Sequence, residues 1–291
     1  MSAHTTKIEK KAYAKINLGL DVLGVLPNGY HEVKMVMQTV GIYDVLTFEK
    51  AAEGIVITTD SGELPTNEDN LIYKAVKLLF DKYNVKEGVR IHLEKHIPIA
   101  AGMAGGSTDA AATLKGINEL FDLGCDEEEL KEIGVKIGAD VPYCVMGGTA
   151  LAEGIGEKLT ALMPAPECYL LVAKPDINVS TKYVYEHLDA LESYEHPDID
   201  GMVQAIEDGS LAGVVERMGN VLQDVTIPAY PIIETLKERM IKLGAAGSMM
   251  SGSGPTVFGI FYEEAKAREA YEQMVQDAQA RQIFLTGFVK G

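Results

Sequence analysis

Residues 98–108 (Pro98, Ile99, Ala100, Ala101, Gly102, Met103, Ala104, Gly105, Gly106, Ser107 and Thr108) form a glycine-rich stretch that passes directly into an alanine-rich segment ending near Leu120. Glycines at 102, 105 and 106 let a backbone turn sharply and approach a ligand with no side chain in the way. Ser107 and Thr108 are of the type that caps a helix, and the first turn of a helix carries unpaired N–H groups and partial positive charge. The chemistry on offer is phosphate binding. The same residues also suit a plain glycine turn before a capped helix, because neither GxxxxGK[ST] nor GxGxxG is present. A second cluster, with Gly244, Gly247, Ser251, Gly254 and Pro255, reads as a tight helix-to-strand turn or as another wall of a phosphate cleft.

Phosphoryl transfer to a hydroxyl needs a phosphate cradle, cationic stabilisation, and a group that orients or deprotonates the hydroxyl. Asp140, after Gly138 and before Val141 and Pro142, suits the last of these roles; it equally suits a turn closed by an aspartate side chain. Lys15 suits the cationic role or a solvated strand face. Tyr30 and His31, after the Asn28-Gly29 turn, offer a stacking ring and a hydrogen-bonding edge, or a surface aromatic and a solvated histidine. No secure metal-ligand set is visible.

The elements that must position these residues follow from hydrophobic periodicity. Residues 12–23 alternate, with Ala12, Ala14, Ile16, Leu18 and Leu20 on one strand face and Tyr13, Lys15, Asn17 and Gly19 on the other. A turn at 26–29 leads to strands at 33–40, 45–48 and 55–59, then a loop at 62–69. Asn70 is placed to cap a helix reaching about Tyr83, and 89–93 returns to a strand. After the glycine stretch, a helix is expected over 126–137, then strands across 147–159. Residues 160–167, with Pro164 and Pro166, make the best linker. Beyond it come a strand at 168–173, helices, a strand at 256–261, and a final helix at 263–281. Strands and helices mix without a regular βαβ repeat, which indicates an α+β fold in two domains, 1–163 and 164–291.

Composition fits that picture. The chain has 291 residues, enough for one large or two ordinary domains, with 47% apolar and 24% charged residues. This excludes a disordered, collagen-like or coiled-coil chain. With 26 Lys and Arg against 43 Asp and Glu, the formal charge is −17. A surface so acidic argues against nucleic acid and membrane as partners, and against RNA binding in particular, while local backbone donors can still hold a small anion. Cys125, Cys144 and Cys168 form no CxxC pair and are odd in number, against a disulfide framework or a structural zinc. The first eleven residues contain no apolar signal core and no apolar run approaches 18 residues, so a cytoplasmic location is expected. Oligomeric state is left open.

Taken together, PIAAGMAGGSTDAAA and GSMMSGSGPTVFGIF resemble the ATP loop and the C-terminal glycine motif of the GHMP kinase superfamily. AYAKINLGLDVLGVLPNGYHEV and IGADVPYCVMGGTALAEGIGE are similar to the branch that phosphorylates a cytidine-diphosphate-linked methylerythritol in the non-mevalonate isoprenoid route. The segments span residues 12–261. The resemblance implies a two-domain GHMP kinase fold, with a ribosomal-protein-S5-domain-2-like N-terminal part and a ferredoxin-like α/β sandwich after it. It implies ATP as co-substrate bound by residues 98–108, with Mg²⁺ expected alongside. Lys15 and Asp140 are implied as the catalytic pair. Asn17, Tyr30, His31 and Tyr185 are implied to bind the substrate, Tyr183 being the rival of Tyr185 for the second face of the cytosine. Another small-molecule kinase of the superfamily, of the mevalonate type, is the neighbouring reading, and a non-catalytic nucleotide-binding relative the more distant one. One departure is Ala104, where family loops often carry glycine; another is Leu26, where an arginine is common.

Overall fold

The computed structural model describes residues 7–290; the N-terminal reading falls partly on residues 1–6, outside the described residues. In chain order the elements are β1 (Lys7–Val25), β2 (His31–Ala51), β3 (Ile55–Thr59), α1 (Leu71–Tyr83), β4 (Gly88–Glu94), α2 (Gly105–Phe121), α3 (Glu127–Val135), α4 (Val141–Met146), β5 (Thr149–Gly154), β6 (Lys158–Ala161) and β7 (Tyr169–Lys174). There follow α5 (Thr181–Leu188), α6 (Ile199–Glu207), α7 (Leu211–Glu216), β8 (Gly219–Asn220), α8 (Gln223–Ala229), α9 (Ile232–Lys242), β9 (Gly247–Met250), β10 (Val257–Phe261), α10 (Glu264–Asp277) and β11 (Gln282–Gly287). The α+β class expected from the sequence is the one observed.

The chain divides into two compact units, through both of which β1 and β2 pass. The first holds the described residues up to Ala14, Ile42–Ile97 and Ala104–Met146. In it the second half of β2 pairs antiparallel with β4 (Val45 opposite Glu94), and β3 runs parallel to β4 (Ile55 opposite Val89). Asn70 caps α1 as expected, its Oδ1 accepting from the Ile72 N–H at 2.9 Å. Asp126 caps α3, where Glu127, Glu128 and Glu129 put negative charge at the positive end of the helix. Ile72, Ala75, Val76 and Leu79 of α1 pack toward α2 over a core that includes Phe48, Ile91, Leu114 and Ile117. The small residues of α2 matter here. A Cβ on Gly116 would stand 2.6–2.9 Å from the fully buried Phe48 ring.

The second unit holds Lys15–Gly41, Pro98–Met103 and the chain from Gly147 onward. The first half of β2 pairs with β5 and β5 with β6, both antiparallel, while β1 runs parallel to β8 (Gly19 opposite Gly219). A separate antiparallel sheet has the order β11-β7-β10-β9, with α9 and α10 packed against it.

Several sequence expectations are corrected. The strands expected at 33–40 and 45–48 are one strand, β2, because Ile42 and Leu46 keep the alternation going between them. Both faces of β1 are covered from Ala14 to Val22, so Lys15 is not solvated. Residues 141–146 form α4, an unforeseen helix. The last helix stops at Asp277, and Gln282–Gly287 adds an edge strand to the second sheet through β7.

If Gly116 is glycine because the Phe48 ring occupies its side-chain space, Gly116→Ala destabilises the protein by about 1–3 kcal/mol despite the better helix propensity of alanine. Urea denaturation checks this. Adding Phe48→Leu to Gly116→Ala should recover part of the loss, and a Gly116→Ala protein as stable as the parent would show the ring moving aside freely.

Candidate functional site

Site residues of the first unit gather at the start of α2. This helix begins at Gly105, its N-cap position is Ala104 in a left-handed conformation (φ 57°), and no side chain among the described residues caps it. Ser107 and Thr108 therefore lie inside the first turn rather than capping it, a correction to the sequence reading. Thr108 is buried and its Oγ1 donates to the Tyr13 carbonyl at 2.8 Å, so its hydroxyl is spent on fixing the helix to β1. The uncapped first turn leaves backbone N–H groups without intrahelical acceptors, which suits an anion. Gly106 is exposed, and among the described residues a Cβ there would meet only Leu71, at 3.4 Å. Ala104 carries the backbone strain that glycine would avoid, which accounts for the glycine that family loops often have there.

Below this turn lies a charge cluster that sequence reading missed. The Lys95 Nζ donates to the Asp44 Oδ2 and, at 3.0 Å, to the Asp109 Oδ2, and all three side chains are buried. The Asp44 Oδ1 also accepts the N–H groups of His96 and Ile97 at 2.6 and 2.7 Å, directly before the glycine stretch. Nothing in spacing pairs Lys95 with Asp44, 51 positions earlier; only the position of Asp109, right after Ser107 and Thr108, could have drawn attention. Asp140 occupies a half-buried turn, and its carbonyl accepts the Cys144 N–H at 3.0 Å at the start of α4. That turn lies beside the α2 start, since a Cβ on Gly138 would stand 3.9 Å from the Ser107 Oγ.

Site residues of the second unit form two groups. In one, Lys15 is only 5% exposed; its Nζ donates to the Asn17 Oδ1 at 2.8 Å and its N–H to the Met103 carbonyl at 3.2 Å. Asn17, fully buried, donates through Nδ2 to the Met35 Sδ. Within the loop Pro98, Ala101 and Met103 are buried, Ile99 is half-buried, and Ala100 is exposed at φ 52°. At Gly102 (φ 70°) an added Cβ would stand 2.3 Å from the Ser251 carbonyl oxygen, so this glycine is demanded by backbone packing. The Ser251 Oγ donates to the Gly102 carbonyl at 2.9 Å. The two glycine clusters therefore meet. Asn220, absent from the sequence reading, braces the second one, its Nδ2 donating to the carbonyls of Met250 and Gly252 at 2.9 and 2.8 Å.

The other group surrounds His31. Tyr185 lies against its ring with centroids 4.5 Å apart, whereas Tyr183 lies against His187 at 3.8 Å. Of the two tyrosines, Tyr185 is the one beside His31. Tyr30 is 60% exposed and its N–H donates to the Asn28 Oδ1, which holds the turn. Among the described residues no group of three or more His, Cys, Asp or Glu side chains is placed to hold a metal ion. No helix among them is long and apolar enough to cross a membrane.

Burial pushes the Asp109 carboxyl up to about 8, against the lowering effect of Lys95 and with a further rise from Asp44. A carboxyl raised on folding stabilises the native state while protonated. That contribution is full below the unfolded value of about 4 and is lost as pH rises through about 8. The urea midpoint should therefore fall between pH 5 and 9, and Asp109→Asn should flatten the fall. Parallel profiles for parent and variant would disprove the assignment.

Comparison with known proteins agrees with this architecture. Residues 70–148 match the GHMP kinases N terminal domain and residues 202–280 the GHMP kinases C terminal domain. The chain is 56% identical, over 96% of its length and 97% of the relative's, to the 4-diphosphocytidyl-2-C-methyl-D-erythritol kinase of Lachnospira eligens. Its identity to the protein of the same name from Caldicellulosiruptor bescii is 49%, over 97% of this chain and 98% of that one. A crystal structure of 4-(cytidine 5'-diphospho)-2C-methyl-D-erythritol kinase superposes with a TM-score of 0.84 at 31% identity, covering 98% of this chain and all of the other. The L. major mevalonate kinase shares the fold, with a TM-score of 0.79 at 17% identity over the whole of this chain and 98% of that one. With two matching domains and relatives at this identity over nearly its full length, the chain belongs to the GHMP kinases, in the branch of the 4-diphosphocytidyl-2-C-methyl-D-erythritol kinases.

Proposed function

We propose that this kinase transfers the γ-phosphoryl group of ATP to the 2-hydroxyl of 4-diphosphocytidyl-2-C-methyl-D-erythritol, with Lys15 and Asp140 as its catalytic residues. The observation that supports the site most directly is Lys15: a buried ammonium whose own N–H is tied to the glycine loop through Met103 and whose side chain rests on Asn17. A charge held there without solvent screening offsets negative charge developing on the transferring group far better than a solvated lysine would. The names of the relatives supply the substrate.

In this reading the backbone of residues 98–108 cradles the phosphates, with the uncapped α2 start as its positive end. Asp140 orients the hydroxyl in line with the γ-phosphorus and takes its proton late in the transfer. Tyr30 and Tyr185 hold the cytosine faces, His31 reads its edge, and Asn17 faces the substrate. Mg²⁺ would accompany the nucleotide and keep several of its waters. Bound there, it would supply positive charge against the phosphate oxygens. The functional division falls near residue 163, supported by family matches at 70–148 and 202–280. An acidic chain using ATP and a soluble nucleotide-linked alcohol fits the cytoplasm, with no nucleic acid or membrane as partner.

Phosphorylation assays with ATP and a panel of the cytidyl-linked methylerythritol, mevalonate, homoserine and galactose test the substrate. Turnover confined to the first is expected; equal turnover of mevalonate would remove the reading. For the site, Asp140→Asn and Lys15→Met should each lower kcat by at least about 100-fold, with much smaller effects on ground-state affinity. Since both act on one hydroxyl, the double variant should be little worse than either alone. Multiplying losses would break the pairing, and near-normal kcat in a folded Asp140→Asn protein would remove the base.

A further inference from the structure

Asp189 has no role in the assignments above, yet it touches one of the residues in them. It follows Tyr185 by one helical turn at the end of α5, its N–H donating to the Tyr185 carbonyl at 3.1 Å. From these two positions α5 grips a single imidazole. The Tyr185 ring lies on the face of His31, centroids 4.5 Å apart and planes at 33°, and the Asp189 Oδ1 stands 2.8 Å from the His31 Nε2. The His31 side chain is 15% exposed, so this hydrogen bond is formed where the ring has little water to turn to.

A carboxylate has only acceptor oxygens, so the ring nitrogen facing it carries the hydrogen. In the neutral imidazole the other nitrogen, Nδ1, then presents a lone pair. We infer that Asp189 is a positioning residue that fixes His31 as a hydrogen-bond acceptor at Nδ1, and thereby selects a nucleobase edge bearing an amino donor over one bearing a carbonyl. The discrimination is cytosine over uracil, whose 4-position exchanges an amino group for an oxygen. Acceptor would face acceptor in the uracil case, and a site built around one hydrogen bond rejects the ligand that leaves it unmade. The inference rests on the reading of His31 as the residue facing the base edge, and adds how its tautomer is chosen.

Steady-state kinetics of the full chain, with cytidine-diphosphate-linked and uridine-diphosphate-linked methylerythritol, test it. The parent should prefer the cytidyl compound by at least about tenfold in kcat/KM. Asp189→Asn replaces an obligate acceptor with an amide that can also donate to Nε2, so the hydrogen is no longer held there. It should raise the cytidyl KM by about tenfold and narrow the preference as much, while kcat changes less than about threefold. Asp189→Glu, which keeps an acceptor carboxylate, should retain most of the preference; losing it as fully as Asp189→Asn would point to a merely structural role. His31→Ala separates the layers. If it leaves the cytidyl KM unchanged, the base-edge reading of His31 fails and the inference with it. If His31→Ala raises that KM but Asp189→Asn keeps the parental preference, the base-edge reading stands and the positioning role of Asp189 is overturned.

Discussion

The first unit turns on one buried ammonium. Lys95 is enclosed between Asp44 of β2 and Asp109 of α2, and Asp44 also receives the two backbone N–H groups that lead into the glycine stretch. Taking such groups out of water costs several kcal/mol per ion, so the arrangement persists only because the contacts are close and mutual. Removing Lys95 or Asp44 would leave a charge stranded, at a cost of about 3–5 kcal/mol. Strand, loop entry and helix are thus fixed at a single point. Gly105 belongs to this constraint as well: a Cβ there would stand 3.1 Å from the Lys95 Nζ.

The loop glycines consequently have different physical reasons. Gly102 is required by the Ser251 carbonyl and Gly105 by Lys95, whereas a Cβ on Gly106 would meet, among the described residues, only Leu71. Ala104 accepts a left-handed conformation at a cost of about 1–2 kcal/mol for a residue with a Cβ. In the proposed role a chain with net charge −17 would hold phosphates through peptide N–H dipoles rather than a field of lysines.

In the second unit, polar side chains are used to hold backbone. Ser251 ties the two glycine clusters together, Asn220 braces Met250 and Gly252, and Lys15 is bound to Met103 through its main chain. Lys15 and His31, both in the proposed site, are each held by a neighbour, Asn17 and Asp189. A group held in one rotamer loses little freedom when a ligand arrives, which is how a site with few charged residues can be selective.

By itself the sequence determined the α+β class, the capping of α1 by Asn70, the glycine-rich turn that leads into α2, and the kinase resemblance. These are local matters: periodicity, cap chemistry and short motifs lie within one or two turns of chain. Tertiary structure decided what depends on residues far apart in the chain. The Lys95 cluster joins residues 51 positions apart, and the Asp189 contact with His31 spans 158. Lys15 and Asn17 look like an exposed strand face in the sequence, and are buried because β1 is covered on both sides. The start of α2 at Gly105 overrode the capping preference of Ser107 and Thr108, since Thr108 is drawn to Tyr13 and the turn at Ala104 closes through the backbone alone. Burial, register and long-range hydrogen bonds are properties of the packed chain, and no local pattern of residues encodes them.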